Sequence, residues 1–348
     1  MTLPARLKDI QRFVETIDLR QIEAVVAREA RAQIAIVGPV NSGKSTLFNL
    51  IKGKQLSRVS AVPGTTKQAI AEDFGPFRLV DTPGFGEVAG HDRAAVAQQA
   101  VNQAEAAILV LDASAGVRQP DADLYQRLRA GGLSVVVALN KIDLVPRKDL
   151  PAIVADAEAK LRVPVVPISA KNGTGVAKRL IPALIDCHPH MAVTVGRALP
   201  RYRKLASRRI IRESAALAAL IGFEPLPGLS IPVLIAVQVR MLLRLAAIHG
   251  DQLTAARARE LISAIAGGLA IRYGAQELAK LVPVAGWLVA GAAAATGTAA
   301  LGNAALLFFE NRGRLTPEEL RALYRRLRWR TRRKQEQLLN DQETLAGS

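Results

Sequence analysis

Residues Gly38 to Thr46 read Gly-Pro-Val-Asn-Ser-Gly-Lys-Ser-Thr, a glycine-rich loop closed by a lysine and a hydroxyl. The apolar run Ile34-Ala35-Ile36-Val37 precedes it, and Leu47-Phe48-Asn49-Leu50-Ile51 follows with helical character. Strand, loop and helix in that order are the setting in which this spacing holds phosphate. Beyond the Gly38 turn, successive backbone N–H groups over Asn41, Ser42, Gly43, Lys44, Ser45 and Thr46 form an anion nest. The helix N-terminus adds partial positive charge. Lys44 is expected on the β- and γ-phosphates and Ser45 on Mg²⁺. The ligand these residues imply is a nucleoside triphosphate.

A second cluster reads the base. Asn140-Lys141-Ile142-Asp143 follows the apolar run Val135 to Leu139. A carboxylate accepts two hydrogen bonds, and guanine offers N1–H and an exocyclic amine on one edge. Adenine has no such donor pair, and a site that leaves its own polar group unpaired rejects the ligand. Asp143 is therefore the guanine reader, with Asn140 and Lys141 bracing the loop and covering the ring. Ser169-Ala170-Lys171 ends a further apolar run and is expected to bring a backbone N–H to the guanine oxygen.

Switch chemistry is expected between these clusters. Asp81-Thr82-Pro83-Gly84 ends the run Phe77 to Val80; Asp81 is expected to hold Mg²⁺ through water, and the Gly84 N–H to meet the γ-phosphate. Thr66, preferred over Thr65, is expected to complete the Mg²⁺ shell only while the γ-phosphate is present, an order–disorder switch. Phe85 follows Gly84, where an apolar ring can neither orient nor polarise water. Glu87 and Asp92 are nearby acids, but nothing selects either. A basal turnover on the order of 10⁻³ per second or less is expected.

Residues from about 33 to 186 resemble the Era-like GTPases of the TrmE–Era–EngA–septin group on these motifs, taken in order, with the Pro-Gly-Thr-Thr stretch at 63–66 and Asn41. The resemblance implies a Mg²⁺-dependent GTPase that cycles between GTP and GDP. It also implies K⁺ at Asn41, in the place of an arginine finger. Turnover at the same rate in Na⁺ and K⁺ would exclude that ion.

The elements that must carry these loops are strands near 33–37, 77–81, 106–112, 134–139 and 164–168. Together they make a mostly parallel sheet with helices on both faces, the α/β class of a P-loop domain. At 348 residues the chain is long enough for two domains. The expected division is amphipathic helices over 1–32, packed on the GTPase or on a partner, and the GTPase domain over 33–190. An all-α hydrophobic domain over 191–312 and a basic amphipathic tail over 313–348 complete it. Leu7, Ile10, Phe13 and Val14 carry the helical spacing near the start, as do Ile22, Val25 and Val26. The single cysteine, Cys187, excludes an internal disulfide and fits a reducing compartment. Its surroundings, Cys187-His188-Pro189-His190, read as a polar hinge, since a tight zinc site needs more ligands than they supply. No secretory signal is visible, and a domain using cytosolic GTP is expected in the cytoplasm.

The net charge of +17 is unevenly placed. Basic residues crowd Arg197 to Arg212 and again Arg312 to Lys334, which suits anionic lipid or nucleic acid. From Leu281 to Phe309 no residue is charged, and about 20 residues suffice to cross a bilayer core. Ala294, Thr298 and Gly302 give that stretch a small-residue face for close helix packing. Trp287 and Phe308-Phe309 stand at its ends, as interfacial aromatics do. Ser214 to Val239 is apolar but broken by Pro225, Pro227, Gly228 and Pro232, so two short helices are expected to meet there. Basic flanks on both sides demand an even number of crossings, two or none. Thr316-Pro317-Glu318-Glu319 is a capping box opening a helix with Leu320, Leu323, Tyr324 and Leu327 on one face.

Ser214 to Glu310 resembles the YcjF-like domain of unknown function found behind Era-like GTPases. The resemblance rests on Pro-Leu-Pro-Gly, Gln238 to Met241, His249-Gly250, Leu281 to Gly286 and Thr298 to Gly302. It implies inner-membrane association and names no process. The leading expectation is a membrane-associated GTPase switch. Beside it stand a soluble GTPase that binds ribosomal RNA and a self-associating, homo-oligomeric scaffold that remodels membranes. The RNA reading lacks a Gly-x-x-Gly binding loop in the C-terminal half. The effector is not legible.

Overall fold

The computed structural model describes residues 19–53, 73–80, 103–188, 190–223, 230–266, 285–311, 316, 318–327 and 329. The chain divides into two compact units, residues 31–198 and residues 1–30 with 199–348. The first is a P-loop α/β domain, and the second is helical.

Six strands make the sheet of the α/β unit: β1 (Ile34–Val37), β2 (Asp73–Phe74), β3 (Phe77–Leu79), β4 (Ala106–Asp112), β5 (Ser134–Asn140) and β6 (Val165–Pro167). Their order is β2-β3-β1-β4-β5-β6, antiparallel only between β2 and β3. Ile34 of β1 stands beside Phe77 of β3 and Ala106 of β4, so the chain reverses its direction of advance at β1. Ligands of such sheets sit outside the strand C-termini at that reversal. The edge strand β2, absent from the sequence expectation, folds back through Gly75-Pro76.

Both faces of the sheet are covered, which is why its strands read as unbroken apolar runs. Ala35, Val37, Leu109, Leu111, Val137 and Leu139 point into one cluster with Leu124, Tyr125 and Leu128 of α3 (Gln119–Ala130) and Leu161 of α4 (Leu150–Leu161). Alternating with them, Ile34, Ile36, Ile108, Val110 and Ala138 are fully buried on the opposite face. Helix α2 (Lys44–Lys52) packs on β1 and β3, and α5 (Ile181–Cys187) packs on β5. A short helix, α6 (Met191–Ala198), ends this unit, beyond the expected boundary at 190.

In the helical unit, α1 (Leu19–Glu29) packs on α8 (Ser230–His249) and α9 (Ala255–Ala266). Helices α7 (Arg203–Phe223), α8 and α10 (Ala285–Glu310) pack on one another. The expected pair of short helices is instead two long ones. Prolines 225 and 227 fall in the connection, and Pro232 falls in the first turn of α8, where its missing N–H breaks no bond. The small-residue face of α10 is where α7 and α8 approach. Ala294 is buried with Ala218 and Leu234, Thr298 accepts a hydrogen bond from Gln238 at 3.2 Å, and a Cβ at Gly302 would meet Ile211 and Met241 at 2.8 and 2.9 Å. The capping box forms, with Glu319 accepting from the Thr316 N–H at 2.8 Å and Thr316 from the Glu319 N–H at 3.2 Å. Leu320 and Tyr324 of the tail helix are buried, and Arg321 and Arg325 are exposed.

Stretches over Pro232–His249 and Val289–Glu310 are long and apolar enough to cross a membrane, yet more than half of each is buried inside the protein.

Candidate functional site

The loop between β1 and α2 is built by backbone conformations that few side chains permit. Asn41 (φ 61°) and Gly43 (φ 94°) are left-handed, turning successive N–H groups toward one point. A Cβ at Gly38 would lie 2.2 Å from the Val110 carbonyl oxygen, and one at Gly43 would lie 2.3 Å from the Asn140 side-chain nitrogen. The two glycines are thus set by the sheet below and by the loop after β5 beside them. Lys44 is buried, and its ammonium donates to the carbonyls of Gly38 (2.9 Å) and Pro39 (3.0 Å). Ser45 and Thr46 are exposed on the first turn of α2.

Asn140, at the end of β5, joins the loops. Its side-chain N–H donates to the Ser42 carbonyl at 2.8 Å, and its side-chain oxygen accepts from the Ala170 N–H at 2.8 Å. The Ala170 N–H, one of the backbone donors expected for guanine, is held by Asn140 in this structure. Lys141 is left-handed (φ 66°) and starts the turn Ile142–Leu144, which leaves Asp143 exposed. The Ser169 hydroxyl donates to the Asp143 carboxylate at 2.5 Å. This contact orients the carboxylate while leaving it acceptor capacity.

Sequence reading missed Asp112, at the end of β4, which pairs with the Lys141 ammonium at 2.6 Å. Burial pushes the Asp112 carboxyl up, but hydrogen bonds from Lys141 and Ser114 outweigh it and hold the group below its ordinary value. The pairing fixes the Lys141 side chain between the ends of β4 and β5. Only the β4–β5 register, Asp112 opposite Asn140, reveals it.

The loops after β1, β4, β5 and β6 all lie at the strand C-termini, so phosphate-binding and base-reading residues share one edge of the sheet. The nest, the ammonium, and the Ser45 hydroxyl as a hard oxygen donor fit a nucleotide with Mg²⁺. Thr65, Thr66, Asp81, Gly84, Phe85, Glu87 and Asp92 lie outside the described residues, as do the Trp287 side chain and residues 1–18.

A family model described as "50S ribosome-binding GTPase" matches residues 33–141. GTPase Der of Solidesulfovibrio magneticus is 36% identical over 162 residues, which cover 42% of this chain and 36% of that protein. GTPase Era of Aquifex aeolicus is 30% identical over 199 residues, covering 52% of this chain and 65% of Era. A solved structure of Era in complex with MgGDPNP and nucleotides 1506–1542 of 16S ribosomal RNA is 26% identical. It covers 54% of this chain and 67% of that one, with a TM-score of 0.35. The chain thus spans from about a third to just under two thirds of the length of these curated relatives. Residues 33–141 are thus similar to a GTPase family, and the α/β unit has Era- and Der-like relatives.

Proposed function

We propose that the chain binds GTP and hydrolyses it to GDP and phosphate as a Mg²⁺-dependent switch. The observation that carries this reading is the Asn140 bridge, which locks the phosphate loop to the guanine-reading loop at one sheet edge. On binding, the Lys44 ammonium exchanges its two carbonyl partners for the β- and γ-phosphates. Ser45 holds Mg²⁺, which neutralises charge developing between those phosphates. Asp143 accepts from guanine N1–H and the amine, a backbone N–H of Ser169-Ala170-Lys171 donates to its oxygen, and Lys141 covers the ring. Thr66, Asp81 and Gly84 complete the Mg²⁺ and γ-phosphate contacts, and Asn41 takes K⁺. The test is phosphate release by the purified chain with GTP, in K⁺ and in Na⁺. Lys44→Ala is expected to lower the rate about 100-fold or more. A wild-type rate no higher than that of Lys44→Ala would sink the reading.

The helical unit is proposed to meet membrane lipid at its surface. Leu217, Leu220 and Phe223 are exposed on the last turns of α7, with Val233 and Val289 exposed on the first turns of α8 and α10. The close approach of Gly222 to Gly291 sets these ends together, so the bundle presents one apolar end. Basic flanks suit anionic headgroups. Flotation with anionic vesicles is expected for the full chain and lost in a Leu220→Glu, Phe223→Glu variant. If the chain stays at the bottom and binds ribosomal RNA with steep salt dependence instead, the RNA reading, toward which the family description points, replaces it.

A further inference from the structure

The α/β unit carries a second cluster of ligating side chains, far from the phosphate loop. Glu105 immediately precedes β4, whose seven residues run roughly 23 Å toward the nucleotide edge. Its main chain is fixed at the opposite edge: the Glu105 N–H donates to the Gln33 carbonyl at 3.0 Å, and the Glu105 carbonyl accepts from Ser134 at 3.3 Å. Across from it, the turn between α5 and α6 presents two histidines. The His188 carbonyl accepts from the Met191 N–H at 3.0 Å, and the His190 carbonyl accepts from Val193 and Thr194 at 3.1 and 3.3 Å. Both histidine backbones are therefore held by the start of a helix.

The side chains converge. His190 Nδ1 lies 2.6 Å from a Glu105 carboxylate oxygen. The two imidazoles meet edge to face, with centroids 4.6 Å apart. One ligand atom from each of Glu105, His188 and His190 lies within 4.8 Å of the other two. His190 and Glu105 are 25% and 21% exposed, half-dry but open to an ion. Cys187 stands next in sequence yet points away. Its thiol donates to the Leu184 carbonyl at 3.1 Å, back into its own helix, and it is not part of the converging group.

We propose that Glu105, His188 and His190 bind a divalent transition-metal ion of the Zn²⁺ type. Two imidazoles and a carboxylate suit Zn²⁺, Co²⁺ or Ni²⁺, whereas Mg²⁺ and Ca²⁺ prefer oxygen alone and Cu(I) prefers sulfur. Bonds of about 2.0–2.1 Å place tetrahedral ligand atoms roughly 3.3 Å apart, so the side chains need draw in only slightly. On binding, the ion takes the place of the His190–Glu105 contact, each ligand turning its lone pair to the metal. Three protein ligands leave one position for water or an added ligand. The sequence around the two histidines supplies too few ligands, and the third partner, Glu105, lies 85 residues from His190, just before β4.

The test uses the full chain stripped with chelator, with GDP and excess Mg²⁺ filling the nucleotide site and Co²⁺ as the probe. One Co²⁺ per chain is expected, with the visible absorption of a four-coordinate ion, displaced by Zn²⁺. His188→Asn and His190→Gln are each expected to weaken binding about 10-fold or more, and Glu105→Gln at least about 10-fold, with unchanged circular dichroism. Lys44→Ala should leave Co²⁺ binding intact. Failure of the wild type to take up Co²⁺, or uptake that survives both histidine changes together, overturns the proposal.

Discussion

Replacing Asp143 by Asn lowers affinity for GDP and GTP by about three orders of magnitude, and affinity for the xanthine nucleotides rises in its place. The carboxylate is exposed, held in the turn Ile142–Leu144, and aimed by the Ser169 hydroxyl at 2.5 Å. Guanine presents two donors to it. An amide has one oxygen and one NH₂, so one guanine donor would face another donor and the charge would be gone. Each charge-assisted bond contributes about 1.5–3 kcal/mol, so losing one, weakening the other and adding a donor–donor clash cost on the order of 4 kcal/mol, or 10³ in affinity. Xanthine carries an oxygen in place of the amine and matches the amide. Calorimetric titration with GDP and XDP reads both effects. Unchanged GDP affinity would show that Asp143 does not face the base.

How far the sequence carried the argument differs between local and distant features. The phosphate loop was legible because its chemistry demands fixed spacing, and the strands were legible because burial on both faces forces apolar runs. Strand β2 escaped because two residues, Asp73 and Phe74, have no period to detect. Long-range partners left no mark. Nothing in Asn140 signals that it bridges Ser42 and Ala170, and nothing in Asp112 signals Lys141. Amphipathic spacing in α1 announces a packed helix and suggests the GTPase or a partner as its ground, whereas the helix packs on α8 and α9, which local spacing cannot reveal. The prolines between α7 and α8 were read as shortening both helices, whereas the uninterrupted Ala- and Leu-rich stretch before them lets α7 run to Phe223.

Glu29→Ala is expected to destabilise the helical unit by about 3–5 kcal/mol, because it takes from the buried Arg244 its closer carboxylate and leaves the 3.3 Å contact to Glu213. The Glu29 side chain is fully buried. It accepts from Arg240 at 2.7 Å and from Arg244 at 2.8 Å, and Arg244 reaches Glu213 at 3.3 Å. Arg244 is 6% exposed, whereas Arg240, at 42%, can turn outward. The cost therefore falls mainly on Arg244. Glu29→Leu combined with Arg244→Met should recover most of the loss, since a buried pair exchanged for apolar groups of similar volume is often close to neutral. Urea unfolding of the full chain, followed by circular dichroism, separates this transition from the one that GDP shifts. A loss below about 1 kcal/mol for Glu29→Ala would show that the contact is not closed in solution. The same network bears on the membrane. Were α8 to cross the hydrocarbon, Arg240 and Arg244 would sit within the span at about 2.5–3.5 kcal/mol each on insertion scales, and Glu29 would have to follow them. A large penalty for Glu29→Ala in vesicle-free buffer would thus place α8 inside protein, and leave the apolar end formed by α7, α8 and α10 as the surface that meets lipid.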